Sequence, residues 1–298
     1  GHTGFKGSWL SVILKHLGAN IYGYALNPIG KNNLFNLLKI NKILKKDIRN
    51  DITNLKILKS FIKKNKPEII FHLAAQPSVI ESFKDSEKTV LTNIVGTANL
   101  FEAIKYQNSV KCLVIVTTDK VYQNYKFRKS FDEESILGGD DIYSGSKACC
   151  EILTNSYYKS FFSTKNINIA TVRAGNCFGG GDFTKDRIVK DCLESFFQNK
   201  KLLLRSPMAQ RPWQHVIEPL TGYLTLAQKL CSKEGKKFIG PWNFGPSIKQ
   251  NMKVIDLAKL IQKTIKLKAD IIVKKKDRRF INKKIKVFES KYLNINSK

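Results

Sequence analysis

The chain opens GHTGFKGSWL (Gly1–Leu10), and how this stretch is read decides the fold. Gly1, Gly4 and Gly7 fall at every third position, and an apolar run follows. Glycine lets a backbone turn tightly and approach a pyrophosphate, and the start of the following helix offers unpaired N–H groups to an anion. The spacing is G-x-x-G-x-x-G, not the G-x-G-x-x-G of the common dinucleotide fingerprint. Alone it is a weak signal, because glycines near a helix start often make only a turn. Its weight comes from its surroundings.

Working outward, residues 5–18 (FKGSWLSVILKHLG) read as a helix with Trp9, Val12, Ile13 and Leu17 on one face and Gly18 as its stop. NIYGYAL (20–26) reads as a strand, and the Lys/Asn-rich stretch to about Asn50 as a loop with a short helix. A helix over 55–65, a buried strand in PEIIFHLAA (67–75), a helix over 89–106 and a buried strand in KCLVIVTT (111–118) follow. Next come a long helix over 141–162 and a strand in INIATVRA (167–174). This βαβα rhythm predicts a doubly wound parallel α/β sheet. After GNCFGGGDF (175–183) the texture changes: helices near 186–198 and 216–231 mix with the short strands KLLLR, PWNFG and DIIVK. Two units are expected. Residues 1–175 form the nucleotide-binding unit, and 176–298 mainly a smaller α/β lobe over the carboxyl ends of the strands, with some segments returning to the main sheet.

Composition agrees with an ordinary globular protein, at 42% hydrophobic and 26% charged over 298 residues. No apolar stretch approaches the ~20 residues of a membrane span. The net charge of +28 is spread along the chain, and its dense spots (KKNK, VKKKDRR, NKKIK) lack the interleaved aromatics of a nucleic-acid stacking platform. Neither nucleic acid nor membrane is therefore an expected partner. The six cysteines, Cys112, Cys149, Cys150, Cys177, Cys192 and Cys231, show no metal spacing, so no metal site and a reduced cytoplasmic location are expected.

Two further stretches carry chemistry. In YSGSK, Tyr143 and Lys147 lie four apart at a helix start, hence on one face. An ammonium beside a phenol favours the phenolate, so Tyr143 would act as a base near neutral pH. A surface tyrosine with a solvated lysine has the same spacing. TTDKVY (117–122) directly follows a strand, which sets the Thr118 hydroxyl, the Asp119 carboxylate and the Lys120 ammonium at a carboxyl strand end. An ordinary strand-ending turn would read similarly.

Together these stretches say more than each alone. Glycine turn, HLAAQP, TTDKVY and YSGSK, in that order on alternating elements, resemble the extended short-chain dehydrogenase/reductase family of NAD-dependent epimerases and dehydratases. LGGDDIYSGSK, RAGNCFGGGDF, RPWQHVIEPLTGYL, WNFGP and the closing FESKYLNINSK extend the likeness over essentially the whole chain. Thr-Asp-Lys, where the dehydratases usually carry Thr-Asp-Glu, resembles the branch acting on CDP-glucose. Family members start with a strand just before the glycine turn and continue past LNINSK. The resemblance thus implies a fragment lacking both ends, with the first strand of a Rossmann sheet missing and marginal stability alone.

The resemblance also implies roles. NAD would lie on Gly1, His2, Gly4, Phe5, Lys6 and Gly7, with Asp51 and Ile52 near the adenine (Asp47–Ile48 being a competing copy). Ala74, Ala75, Gln76, Thr117, Tyr143 and Lys147 would flank it. YGYALNP has no acidic residue at its tip, so the preference for NAD over NADP rests on the family alone. Thr118, Asp119, Lys120, Tyr143 and Lys147 would be catalytic: Tyr143 as base at the sugar O4, Asp119 as acid to the departing O6 hydroxyl, and Lys120 as C5 base or as electrostatic stabiliser. Asn176, Arg187, Arg211, Trp213 and His215 would bind the nucleotide sugar. Further implications are a lyase forming CDP-4-keto-6-deoxyglucose, a homodimer and a setting in bacterial surface-polysaccharide synthesis. The alternatives are an epimerase, a reductase, or a dehydratase of a dTDP-, GDP- or UDP-sugar.

Overall fold

The computed structural model describes residues 1–123, 131–246, 251–267 and 269–273. The closing FESKYLNINSK and the basic runs VKKKDRR and NKKIK contain residues outside this set. In chain order the elements are α1 (Phe5–His16), β1 (Tyr22–Ala25), α2 (Leu34–Leu37), β2 (Lys46–Arg49), α3 (Leu55–Asn65) and β3 (Ile69–His72). Then come α4 (Val79–Lys84), α5 (Ser86–Val90), a π-turn over Leu91–Val95, α6 (Gly96–Ile104), β4 (Cys112–Val116) and α7 (Ile142–Tyr157). The rest of the chain supplies β5 (Asn168–Ala174), β6 (Asn176–Phe178), α8 (Ile188–Phe197), β7 (Leu202–Leu204), β8 (Gln210–Arg211), β9 (Trp213–His215) and α9 (Ile217–Leu230). It ends with β10 (Gly240–Phe244), β11 (Met252–Lys253), α10 (Val254–Ile265) and β12 (Ile271–Val273).

The main sheet is parallel with strand order β10-β5-β4-β3, and β1 and β2 form a separate parallel pair. Strand β4 shows why helices cover both faces. Leu113 and Ile115 enter a core with Leu58, Phe101 and Phe162, whereas Cys112 and Val114 enter another with Leu10, Leu220 and Leu226. Side chains alternate along a strand, so an all-apolar strand must be buried on both sides. This is the doubly wound arrangement expected from the βαβα rhythm. A smaller core of Cys192, Phe196, Leu202, Leu204 and Ala258 joins α8 and α10, with β7 paired in parallel to β12.

Some local expectations need correction. Leu17 is exposed, and α1 instead buries Gly7, Ser8, Leu10 and Ser11, because the helix lies against its own entry turn. The Ser8 hydroxyl donates to the His2 carbonyl at 3.2 Å. Gly18, at φ +81, ends the helix as expected, with its N–H on Lys15 O. The Lys/Asn-rich stretch holds a strand, β2, pairing Asp47 with Gly23 and Ile48 with Tyr24. PWNFG, assigned with the lobe strands, is β10 and pairs in parallel with β5 in the main sheet.

Gly1 joins the two sheets. Its N–H donates to Tyr24 O of β1 at 2.6 Å, and a Cβ built on it would stand 2.5 Å from Ala74 N, just past β3. The carboxyl ends of β3, β4 and β5 therefore open beside the glycine turn, and the segments 73–76, 117–120 and 175–176 leave from one edge.

Candidate active site

The glycine turn is built from close backbone approach. A Cβ on Gly7 would lie 2.2 Å from Gly1 O and 2.7 Å from the His2 Cα, so the third glycine lets α1 pack on the turn itself. Gly4 caps α1 without a side chain, and a Cβ there would meet only Gly1 O at 3.5 Å. The first turn of α1 thus presents its N–H groups beside an unfilled, exposed position.

His2 points away from this opening. It is buried, its Nε2 lies 3.0 Å from Asp47 Oδ1 and 2.9 Å from Arg49 Nη1, and its ring fills the space over Gly23. Burial, with Arg49 adding, lowers its pKa to about 3, which keeps it neutral. Asp47, the competing copy of the adenine motif, is engaged with His2 and Arg49. The Asp51 carboxylate accepts from the Thr53 N–H at 2.9 Å, and Ile52 packs into the core against Gly96. Past β3, Ala74 abuts Gly1. The Gln76 side chain turns away to hold the start of α4, donating to Ser78 O at 3.0 Å and to Thr89 Oγ1 at 2.8 Å.

The triplet expected to be catalytic, Thr118–Asp119–Lys120, follows β4. Thr117 turns inward and donates to Glu151. Thr118 donates to Asp119 Oδ1 at 3.0 Å, and its hydroxyl also acts to lower the pKa of the Tyr143 phenol. Asp119 is 8% exposed, and burial raises its pKa against the opposing pull of Lys120, Thr118, Arg211 and Lys6. Burial lowers the Lys120 pKa while Asp119 acts to raise it, and the Lys120 ammonium lies 5.9 Å from the Tyr143 ring centroid.

Helix α7 delivers Tyr143 and Lys147, its start fixed by Asp141, which accepts from Ser144 N at 2.9 Å. Both side chains are buried. The Lys147 ammonium donates to Val116 O at 3.0 Å, and burial lowers its pKa. Burial also raises the Tyr143 pKa; the groups that oppose this are Thr118, Lys6 and Arg187. Lys147 is held by a strand-end carbonyl, and other cations face the phenol.

On the lobe side, Asn176 begins β6 and stands in register with Trp213 of β9. Arg211 interacts electrostatically with Asp119 and Lys120, and Arg187 with Tyr143 and Lys120, while the Arg187 guanidinium also has Asp182 at 3.9 Å. The Trp213 indole donates to Met252 O at 3.2 Å, which anchors it on β11. His215 packs edge-on against Phe178, and its Nδ1 accepts from Ile217 N at 3.4 Å, at the start of α9. Trp213 and His215 are thereby set beside the cleft as parts of the lobe framework.

Glu151, its partner Arg173 and Asn93 are supporting residues that escaped the sequence reading. Glu151 accepts two hydrogen bonds from Arg173, at 3.0 and 2.9 Å, and others from Thr117 and Thr171, all buried. Its signal was the i+4 stripe Tyr143, Lys147, Glu151 on α7. Asn93, in the π-turn, accepts from Gln76 N at 2.8 Å and donates to Ser146 Oγ at 2.9 Å, tying the segment after β3 to α7.

A parallel sheet with a glycine turn, a buried Tyr–Lys pair and an acid-bearing strand end defines a nucleotide-binding α/β enzyme of the short-chain dehydrogenase/reductase type. The chain belongs to the GDP-mannose 4,6 dehydratase family, whose profile matches residues 1–288. It is 44% identical over 251 residues to the CDP-glucose 4,6-dehydratase of Salmonella typhimurium, covering 83% of this chain and 69% of that one. A dTDP-D-glucose 4,6-dehydratase of Dictyostelium discoideum is 33% identical over 213 residues, 67% of this chain and 48% of the relative. Among solved structures, the fold resembles UDP-glucose 4-epimerase of Thermotoga maritima (TM-score 0.81, 18% identity, 98% of this chain and 88% of that one). It also resembles dTDP-glucose 4,6-dehydratase of Bacillus anthracis in complex with NAD (TM-score 0.73, 23% identity, 93% and 84%).

Proposed function

We propose that the chain is an NAD-dependent nucleotide-sugar 4,6-dehydratase that converts CDP-glucose to CDP-4-keto-6-deoxyglucose with loss of water. The observation that carries this reading is the convergence of the Tyr143 phenol, the Asp119 carboxyl and the Lys120 ammonium on one buried centre. An epimerase inverts a carbinol and has no leaving group that needs an acid. The CDP-glucose assignment draws on the Salmonella relative.

The glycine turn fits a dinucleotide. A Cβ would fill the Gly1 and Gly7 positions with clashes, while Gly4 leaves its position open to a diphosphate. Gly1, Gly4 and Gly7 with Phe5 and Lys6 would cradle it, and Ala74, Ala75, Thr117 and Lys147 would flank its inner end. Ile52 and Asp51 would border the adenine side. Bound there, NAD would supply the hydride acceptor for the sugar C4 hydrogen and the hydride donor for C6.

The chain's own residues move the protons. Tyr143, with the Thr118 hydroxyl favouring its ionised form, accepts the O4 proton while the C4 carbonyl forms. That carbonyl acidifies the C5 proton, which Lys120 removes or whose enolate it stabilises. Asp119, raised in pKa by burial, is suited to hold a proton and give it to the departing O6 hydroxyl. Arg187 and Arg211 pair with the diphosphate, Asn176 with the sugar, and Trp213 and His215 wall the nucleotide. Residues 1–175 are the cofactor unit and 176–298 mainly the substrate lobe. Six unpaired cysteines support a reducing cytoplasmic setting, and the family supports a homodimer. Among the described residues no helix is long and apolar enough to cross a membrane.

The test is to incubate the chain in its full-length parent with NAD and, separately, CDP-, dTDP-, GDP- and UDP-glucose. Formation of a 4-keto product from CDP-glucose is expected, read by its alkaline chromophore. Dehydration of a different sugar nucleotide in preference removes the CDP assignment, and dehydration of none removes the dehydratase reading.

A further inference from the structure

The Trp9 indole, on the second turn of α1, donates to the Gly180 carbonyl at 3.0 Å, a hydrogen bond that joins the cofactor unit to the lobe across 171 positions of chain. Gly180 lies in the run 178–181, which leaves β6 and leads on to Asp182 and Arg187. Its neighbours in that run rest on both units. A Cβ built on Gly179 would stand 2.7 Å from Val216 Cγ1, 3.3 Å from Phe5 Cζ and 3.4 Å from His215 Nε2. One on Gly181, at φ +82, would run into the Leu34 side chain of α2. Gly180 itself is exposed, with open space where a Cβ would be.

These contacts surround the glycine turn. Phe35 of α2 packs edge-on against His2 at 5.6 Å, Phe5 begins α1, and the run 178–181 reaches from Phe5 to Leu34. It therefore spans the two elements that flank the open position at Gly4. Three successive glycines give the run no side chain to pack and wide backbone freedom, so its place is set by backbone contact and by whatever donor meets it. Its start is pinned where Phe178 O accepts from Val216 N at 2.8 Å. The His215 ring stands edge-on to Phe178 at 5.7 Å and to Trp9 at 6.3 Å, which holds the indole alongside the run. Trp9 sits on a helix, so its N–H is a fixed donor meeting a flexible acceptor.

On the reading that the glycine turn holds NAD, we propose that residues 178–181 are a strap that closes the turn behind the dinucleotide, and that Trp9 is the positioning residue that keeps the strap shut. The Trp9–Gly180 bond joins protein groups alone, so it resists opening whether or not the dinucleotide is bound. Its loss speeds entry and exit alike and leaves affinity nearly unchanged. A cofactor that is reduced and reoxidised within one turnover needs to stay between turnovers, and the strap supplies that retention.

Release of NAD from the full-length holoprotein is followed with excess alcohol dehydrogenase and ethanol, which convert each released NAD to NADH, read by its absorbance; the Kd comes from calorimetric titration. Trp9→Phe keeps a ring and removes only the donor. It is expected to raise the release rate about three- to tenfold, the range of one neutral hydrogen bond, while the Kd stays within about twofold. Gly179→Ala, whose methyl group would press on Val216 and Phe5, should do the same, and it replaces Trp9→Phe if that variant lacks a native melt. Gly180→Ala puts its methyl group in open space, keeps its carbonyl and should release NAD at the parent's rate. An unchanged release rate in Trp9→Phe overturns the proposal. So does a Kd that rises by the full factor of the release rate, because Trp9 would then serve the shape of the turn and not the strap. If the parent dehydrates no nucleotide sugar while NAD release still follows the donor at position 9, the functional reading fails and the strap stands.

Discussion

Lys147 Nζ donates to the backbone carbonyl of Val116 at 3.0 Å, so the second member of the Tyr–Lys pair is anchored to the end of β4. The helical stripe continues one turn on to Glu151, which holds Arg173 of β5. Helix α7 is thus fastened to two neighbouring strands by the side chains of the stripe that begins at Tyr143, which fixes the phenol opposite the 117–120 turn.

Replacing that phenol isolates its contribution. Tyr143→Phe keeps the ring and the packing, and we expect kcat to fall by roughly 10²- to 10⁴-fold with little change in melting temperature. Thr118→Val, which removes the hydroxyl that acts to lower the Tyr143 pKa, should cost less. Rates of 4-keto product formation check both.

Asp119 links activity to pH-dependent stability. Burial raises its pKa above 3.8, so the native state keeps this proton to higher pH than the unfolded chain. Stability from this group is therefore greatest below pH 3.8 and is lost as pH rises through the native value. Asp119→Asn should raise the melting temperature at pH 7, the gain fading as pH falls toward 3.8, while dehydration drops by about 10²-fold or more. A scan of melting temperature against pH on both proteins reads the crossover.

The glycine turn separates two kinds of damage. Gly4→Ala adds a methyl group that meets only Gly1 O at 3.5 Å, so the melt should be unchanged while NAD affinity falls by about tenfold or more. Gly7→Ala puts its methyl 2.2 Å from Gly1 O and should lower both stability and affinity. Calorimetric titration with NAD beside thermal melts distinguishes them.

The Glu151–Arg173 pair is 4% and 3% exposed, and removing one partner strands the other charge. Arg173→Met should cost about 3–5 kcal/mol, and the double variant Glu151→Gln/Arg173→Met much less than the sum of the singles. Denaturant unfolding of the four proteins measures the coupling.

Lys120 has two chemical readings that one exchange experiment divides. If it is the C5 base, Lys120→Met should abolish solvent-deuterium incorporation at C5 while oxidation at C4 persists. Full incorporation assigns it to enolate stabilisation. Mass spectrometry of product formed in heavy water gives the answer.

Much of this arrangement was legible because it is written locally. Strand β4 is apolar at every position, α7 carries its chemistry at i+4, and the glycine spacing announces a turn into a helix. Strand β2 was hidden because KDIR is half-buried in a two-stranded sheet and its polar residues bond His2 and each other. The exposed Leu17 and the buried serines of α1 reverse ordinary polarity, since one side of the helix packs on its own backbone turn while Leu10 alone of its residues is buried in the apolar core. The redirection of Gln76 and Thr117 into the framework depends on Ser78, Thr89 and Glu151, and single-residue spacing does not show which partner a polar side chain will find.

Strand β10, from late in the chain, is stitched to the turn bearing Asp119 and Lys120. The Asn243 side chain accepts from the Tyr122 hydroxyl, its N–H donates to Glu133 Oε1 at 2.9 Å, and Tyr122 in turn accepts from Arg173 at 2.9 Å. Nucleotide preference therefore cannot be transplanted between relatives by a single crossover near residue 175. A functional chimera must inherit positions 240–244 from the same parent as its acid–base loop, and recombination libraries that ignore this should return catalytically silent hybrids.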